Sequence, residues 1–140
     1  MNDIYEVLRS EHELLLRTFD QIIQGGAKDD GMFKQAKDMF TAHKDAEEDT
    51  LYTTLEQDGQ LRPMIQVARM EHHAANTLFR ETDWMTFNEE KWMAKVKVLR
   101  EMIGHHIEKE EGPIFQEARR VLSETDAREI GMRFQEEEAA

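Results

Sequence analysis

The chain has 140 residues, 34% charged and 39% hydrophobic, with no cysteine and a formal net charge of −12. This is enough for one ordinary domain with a buried core, and the composition is globular rather than disordered. So acidic a surface argues against nucleic acid and anionic membrane as partners, and the absence of cysteine excludes disulfides, thiolate zinc sites and cysteine-ligated iron–sulfur clusters.

Two prolines and seven glycines interrupt stretches rich in strong helix formers, so an all-α domain spanning 1–140 is expected. The first helix begins near Asp3, an N-cap candidate, and runs to about Gln24, where Gly25-Gly26 ends it. Ile4, Leu8, Leu15, Phe19 and Ile22 form its apolar stripe, and position 12 of that stripe is a histidine. A polar loop, Gly25 to Gly31, leads to a second helix from about Met32 to Gln57, with Phe33, Ala36, Phe40, His43, Glu47 and Leu51 facing inward. Asp58-Gly59 marks a turn, and Pro63 suits the first turn of a third helix. That helix runs to roughly Thr86, with Ile65, Ala68, His72, Ala75 and Phe79 on one face.

Asn88 caps a fourth helix carrying Trp92, Val96, Leu99, Ile103, His106 and Glu110 at three- and four-residue steps. Gly112-Pro113 is expected to end or kink it. A short fifth helix starts at Ser123 and returns Ile130 and Phe134 to the bundle. Four long amphipathic helices with short loops predict an up-down-up-down four-helix bundle with this fifth helix added. His12 lies twelve residues before position 24 and His43 twelve after Gly31, so on antiparallel neighbours the two sit at nearly equal height.

Two His-x-x-x-Glu steps, His43–Glu47 and His106–Glu110, place an imidazole and a carboxylate on one helical face. In so acidic a chain about one such pair arises by chance, so the spacing alone is weak. Placement carries more weight. Four histidines and two glutamates occupy stripe positions near mid-helix, one histidine per helix, where polar groups need partners. That is too many donors for one tetrahedral zinc; carboxylates and imidazoles from facing helices suit a dinuclear iron or manganese site.

The run His43-x-x-x-Glu47-Glu48 followed by Leu51-Tyr52, the pair Glu71-His72, and His106-Ile107-x-x-Glu110-Glu111 followed by Ile114-Phe115 together resemble the hemerythrin family, in its bacterial HHE-domain branch. The resemblance covers essentially residues 1–120. It implies a non-haem pair of iron ions, oxo- or hydroxo-bridged, with manganese or zinc as substitutes. Dioxygen or nitric oxide would be the small ligand. His12, His43, His72 and His106 would be terminal ligands, and Glu47 and Glu110 bridging carboxylates.

Two departures bear on function. The oxygen carriers of the family have a second histidine four residues after that of the third helix, where this chain has Asn76, a poor iron ligand. Each iron would then have about five donors of an octahedral six, leaving a position for an exogenous ligand. The carriers also place their last carboxylate five residues after the fourth-helix histidine, at Glu111 here; Glu110, on the face of His106, is preferred. The four-histidine pattern is similar as well to HHE domains of iron–sulfur-cluster repair and iron-sensing proteins.

His73 shares a polar face with Arg69, Asn76 and Arg80 and reads as solvated; His105 has Lys109 rather than a carboxylate four residues on and ranks second to His106. Glu11, Glu48, Glu71 and Glu111 each neighbour a ligand; most are expected to face solvent, with one or two accepting from an imidazole N–H. Tyr5 and Tyr52 read as amphipathic edge residues, and the methionines, Trp84 and Trp92 as core filling. The leading expectation is a protein that binds or senses a diatomic ligand. A di-iron redox or cluster-repair enzyme acting on nitric oxide or peroxide stress comes second, and a metal-free interaction module third. No apolar run approaches the roughly 20 residues that span a bilayer, and the N-terminus lacks a signal-peptide pattern. A cytoplasmic monomer or weak homo-oligomer is expected.

Overall fold

The computed structural model describes residues 2–83 and 88–140. The expected end of the third helix at Thr86, and the core role of Trp84, lie outside the described residues. All regular structure among the described residues is helical. Helix α1 is Ile4–Gly25 and α3 is Arg62–Asp83. Helix α2 starts as Asp30–Glu47, widens to a π-helical turn at Glu48–Tyr52 and closes with an α-turn at Thr53–Leu55. Helix α4 repeats that plan: Glu89–Lys109, a π-turn at Glu110–Ile114, then Phe115–Val121. Helix α5 is Glu124–Ala139.

The starts follow from local hydrogen bonding. Asp3, Asp29 and Asn88 each accept, at 2.9 Å, a backbone N–H three residues on, and Ser123 forms a reciprocal capping box with Asp126. Each cap satisfies an amide that the helix cannot reach. Helix α1 stops where Gly26 adopts φ 74°, a left-handed conformation that glycine enters without penalty.

The expected stop at Gly112-Pro113 does not occur. Helix α4 passes through Pro113 because the π-turn shifts the bonding pattern: Phe115 N–H reaches back five residues to Glu110 C=O. A widened turn tolerates the missing proline donor that would break a regular α-turn. In α2 the carbonyl of Glu48 accepts from Thr53 N–H, from the Thr53 hydroxyl at 2.7 Å and from Arg69 of α3 at 3.2 Å.

The apolar interior is two clusters rather than one. The first joins Ile4 and Leu8 of α1 to Leu51, Leu55, Ile65 and Phe115, and to Ile130 and Phe134 of α5. The second joins Leu15, Phe19 and Ile22 of α1 to Phe33, Phe40, Phe79, Trp92 and Leu99. Each draws the start of one helix and the end of the next, as alternating helix directions require. Phe79 lies 5.8, 5.5 and 5.2 Å from the rings of Phe19, Phe33 and Phe40, and such aromatic pairs contribute about 0.5–1.5 kcal/mol each beyond burial. The histidine and glutamate layer lies between the two clusters. No described helix is long and apolar enough to cross a membrane.

Helix α5 packs on α1 and α2. At Gly131 it lies so near the start of α1 that an added Cβ would stand 3.0 Å from the backbone of Asp3 and of Ile4. Backbone cannot yield as a side chain can, so Gly131→Ala is expected to cost about 1–3 kcal/mol by overpacking. Urea denaturation, comparing midpoints with the parent chain, measures it.

Candidate metal centre

All six residues singled out in the sequence meet between the two apolar clusters. They form two overlapping groups, His12, His43, Glu47 and Glu110 and then Glu47, His72, His106 and Glu110; within each the donor atoms lie within 4.8 Å of one another. Both groups contain both carboxylates. All six side chains are buried, the two glutamates completely. His12 Nε2 lies 3.1 Å from Glu110 Oε1, and His72 Nε2 lies 3.2 Å from Glu47 Oε1. His43 Nε2 and His106 Nε2 lie 3.7 and 3.5 Å from the glutamate of their own helix, four residues on.

His12 Nε2, His72 Nε2, both oxygens of Glu47 and Glu110 Oε1 are buried without a hydrogen-bond partner. Unpaired polar atoms in an apolar interior are costly. Two cations sharing both carboxylates would satisfy all five at once, and the mix of imidazole nitrogen and carboxylate oxygen fits first-row metals.

The outer nitrogens follow one rule. Nδ1–H of His12 donates to Glu111 at 2.7 Å, that of His43 to Glu11 at 2.8 Å, that of His72 to Glu48 at 2.8 Å and that of His106 to Glu71 at 2.7 Å. A carboxylate on Nδ1 keeps the proton there and turns the Nε2 lone pair inward, the tautomer that a metal needs. The expectation that most of these four glutamates are solvated is therefore corrected: every one accepts from a histidine. Each is next in sequence to a core glutamate or histidine, about 100° around the helix, and so faces the neighbouring helix. Glu111 is placed on the outer nitrogen of His12, away from the inner face. His73 and His105 are exposed.

Tyr52 is also more than an edge residue. It is fully buried, its ring stacks on His72 at 5.4 Å, and its hydroxyl donates to Glu110 and lies 3.3 Å from His106 Nε2. In an uninterrupted α-helix position 52 would stand five residues, or about 140°, beyond the direction of Glu47. The π-turn takes up the surplus residue and brings the phenol round to the carboxylates. Tyr5, in contrast, packs edge-on against Phe115 in the first apolar cluster.

Chemically identical groups are made unlike by their surroundings. Burial, with the neighbouring charge of Glu110, pushes Glu47 far above the usual carboxylate range. Burial pushes Glu110 up too, but the adjoining Glu47, His106 and His12 outweigh it and hold Glu110 well below that range. Burial takes His43 down to about 3 and His72 down to about 4. For His106 burial acts downward, yet Glu110 and Glu71 prevail and raise it to about 9. Glu71, bonded by His106 and then by Lys109, falls to about 2.

A helical bundle with buried, carboxylate-oriented imidazoles around two shared glutamates defines a metal-binding protein. The Hemerythrin HHE cation binding domain model matches residues 3–118, and the chain belongs to this family. No curated protein and no solved structure matches it significantly. The family match ends before α5.

Glu71→Gln removes the charge behind His106 and keeps the side chain's shape. It is expected to weaken metal binding about tenfold, the lower end for loss of a supporting partner. Competition titration with a chromophoric chelator reads this. Its effect on the stability of metal-free protein depends on pH. A lowered carboxylate contributes above 4.5 and loses that contribution as pH falls to about 2; a raised histidine contributes below 6.5 and loses it as pH rises through about 9. The stability difference between parent and variant is therefore greatest between pH 4.5 and 6.5 and declines on both sides. Denaturation over this range checks the sign.

Proposed function

We propose that this chain binds two iron ions between its apolar clusters and uses them to bind or sense dioxygen or nitric oxide. The observation that carries the reading is the pair of overlapping donor groups with both glutamates in common. Two metals held by shared carboxylates sit close enough for one ligand to address both. His12 and His43 would serve one ion and His72 and His106 the other, with Glu47 and Glu110 bridging. Bound iron would supply open coordination positions and one-electron chemistry. The protein orients the four imidazoles through their glutamate partners and excludes bulk water with the apolar clusters above and below. Manganese or zinc would fit the same donors.

Metal-free protein given ferrous iron in air is expected to take up two irons per chain and to develop a near-ultraviolet charge-transfer absorption. Glu47→Ala and Glu110→Ala should lose both. Saturating metal should raise unfolding stability by about 4 kcal/mol at a thousandfold excess over Kd. Uptake of no iron, or of a single zinc, would sink the reading.

One observation favours a second reading, a redox or cluster-repair enzyme acting on nitric oxide or peroxide. A buried phenol hydroxyl is held against Glu110 and beside His106, where it can deliver a proton to a reacting ligand. Under this reading the iron-loaded protein turns over nitric oxide or peroxide, and Tyr52→Phe lowers the rate about 10²-fold with iron content unchanged. Under the binding reading neither substrate is consumed and the variant alters only ligand affinity.

A further inference from the structure

A cleft of about 300 Å³ opens between α1 and α2 beside the last turn of α5. Its walls are Glu11, Leu14 and Leu15 of α1, Met39 and Ala42 of α2 and Glu138 of α5, and the imidazole of His43 forms part of its lining. Leu15 is buried, whereas Leu14 remains half exposed. His43 is shared with the candidate metal centre, and its ring touches that of His12 at 4.9 Å. A molecule in the cleft is therefore one imidazole away from the inner nitrogens.

Helix α5 closes one side. Phe134 meets His43 edge-on with ring centroids 5.8 Å apart, and Glu138 stands with Glu11 and His43, their polar atoms within 4.8 Å of one another. The carboxylate side of the cleft disfavours anions, and the aliphatic walls offer nothing to a hydrated ion. An uncharged, apolar molecule meets neither penalty, and the proposed diatomic ligand is one. The family match stops at residue 118, so this side of the cleft is built by a segment beyond it.

We infer that the cleft lined by Leu14, Leu15, Met39, Ala42 and His43, and flanked by Glu11 and Glu138, is a binding port for an apolar diatomic gas on its way to the metal centre. The inference rests on the proposed ligand chemistry for its purpose but not for its detection. Xenon serves as the probe, because it is uncharged and gathers against apolar walls. A crystal of the iron-loaded chain, with α5 in place, under xenon pressure should show the atom between Leu15 and Ala42. Ala42 is exposed, so Ala42→Phe fills the cleft without entering the core, and it should abolish that xenon site while iron content stays at the parent level.

Stopped-flow mixing of the ferrous protein with nitric oxide then tests the route. Ala42→Phe should slow association and dissociation alike, by about tenfold, and leave Kd unchanged, since a barrier in the path alters rates without altering end states. Ser10→Trp is the control. It obstructs a different cleft, between α1 and α4, that reaches His12 past Arg9, Glu13 and Glu111. Xenon absent from the α1–α2 cleft overturns the port, as does unaltered association in Ala42→Phe or slowing in Ser10→Trp alone. Xenon in the cleft of a protein that binds no nitric oxide overturns the proposed function and leaves a gas-binding cavity.

Discussion

Everything in this bundle is arranged around the cost of placing imidazoles and carboxylates inside an apolar domain. Six polar side chains cross the interior at one level and divide the core into two apolar clusters. A layer of that kind is tolerable only when each nitrogen and oxygen has a partner. Outward, the partners are Glu11, Glu48, Glu71 and Glu111, one for each histidine. Inward, lone pairs face one another, and cations are the partners that such a set of acceptors fits.

The two π-turns belong to the same solution. Each begins at the end of a His-x-x-x-Glu step, one in α2 and one in α4. One added residue in the turn rotates the remainder of the helix, so Tyr52 and Phe115 point inward where regular helix would carry them aside. The cost is irregular hydrogen bonding, and Thr53 and Arg69 offset it at Glu48 by donating to its carbonyl. Arg69 also bonds the side chains of Glu48 and Glu56, tying α3 to the widened turn of α2. The glutamate that orients His72 is therefore itself restrained.

Surface acidity and interior chemistry are linked by the same residue type. Thirty acidic side chains in 140 give the net charge of −12. Some of them neither face solvent freely nor sit at the centre, but form the carboxylate ring behind the histidines. Lys109 shares Glu71 with His106 and so moderates the negative field at one point of that ring.

The helical class, the N-caps at Asp3 and Asn88, the start of the last helix at Ser123, and the inward placement of His12, His43, Glu47, His72, His106 and Glu110 were all legible in the residue pattern. Helical periodicity places a side chain on a face wherever the helix is regular, and these positions lie ahead of the rotation that each irregular turn introduces. Continuation of α4 through Pro113 and the approach of Tyr52 were not legible, because a π-turn changes the period that such reading assumes. The pairing of each outer glutamate with a histidine from another helix also required the fold. A residue 100° off the core stripe meets either water or a neighbouring helix, and only the packing of that neighbour decides which.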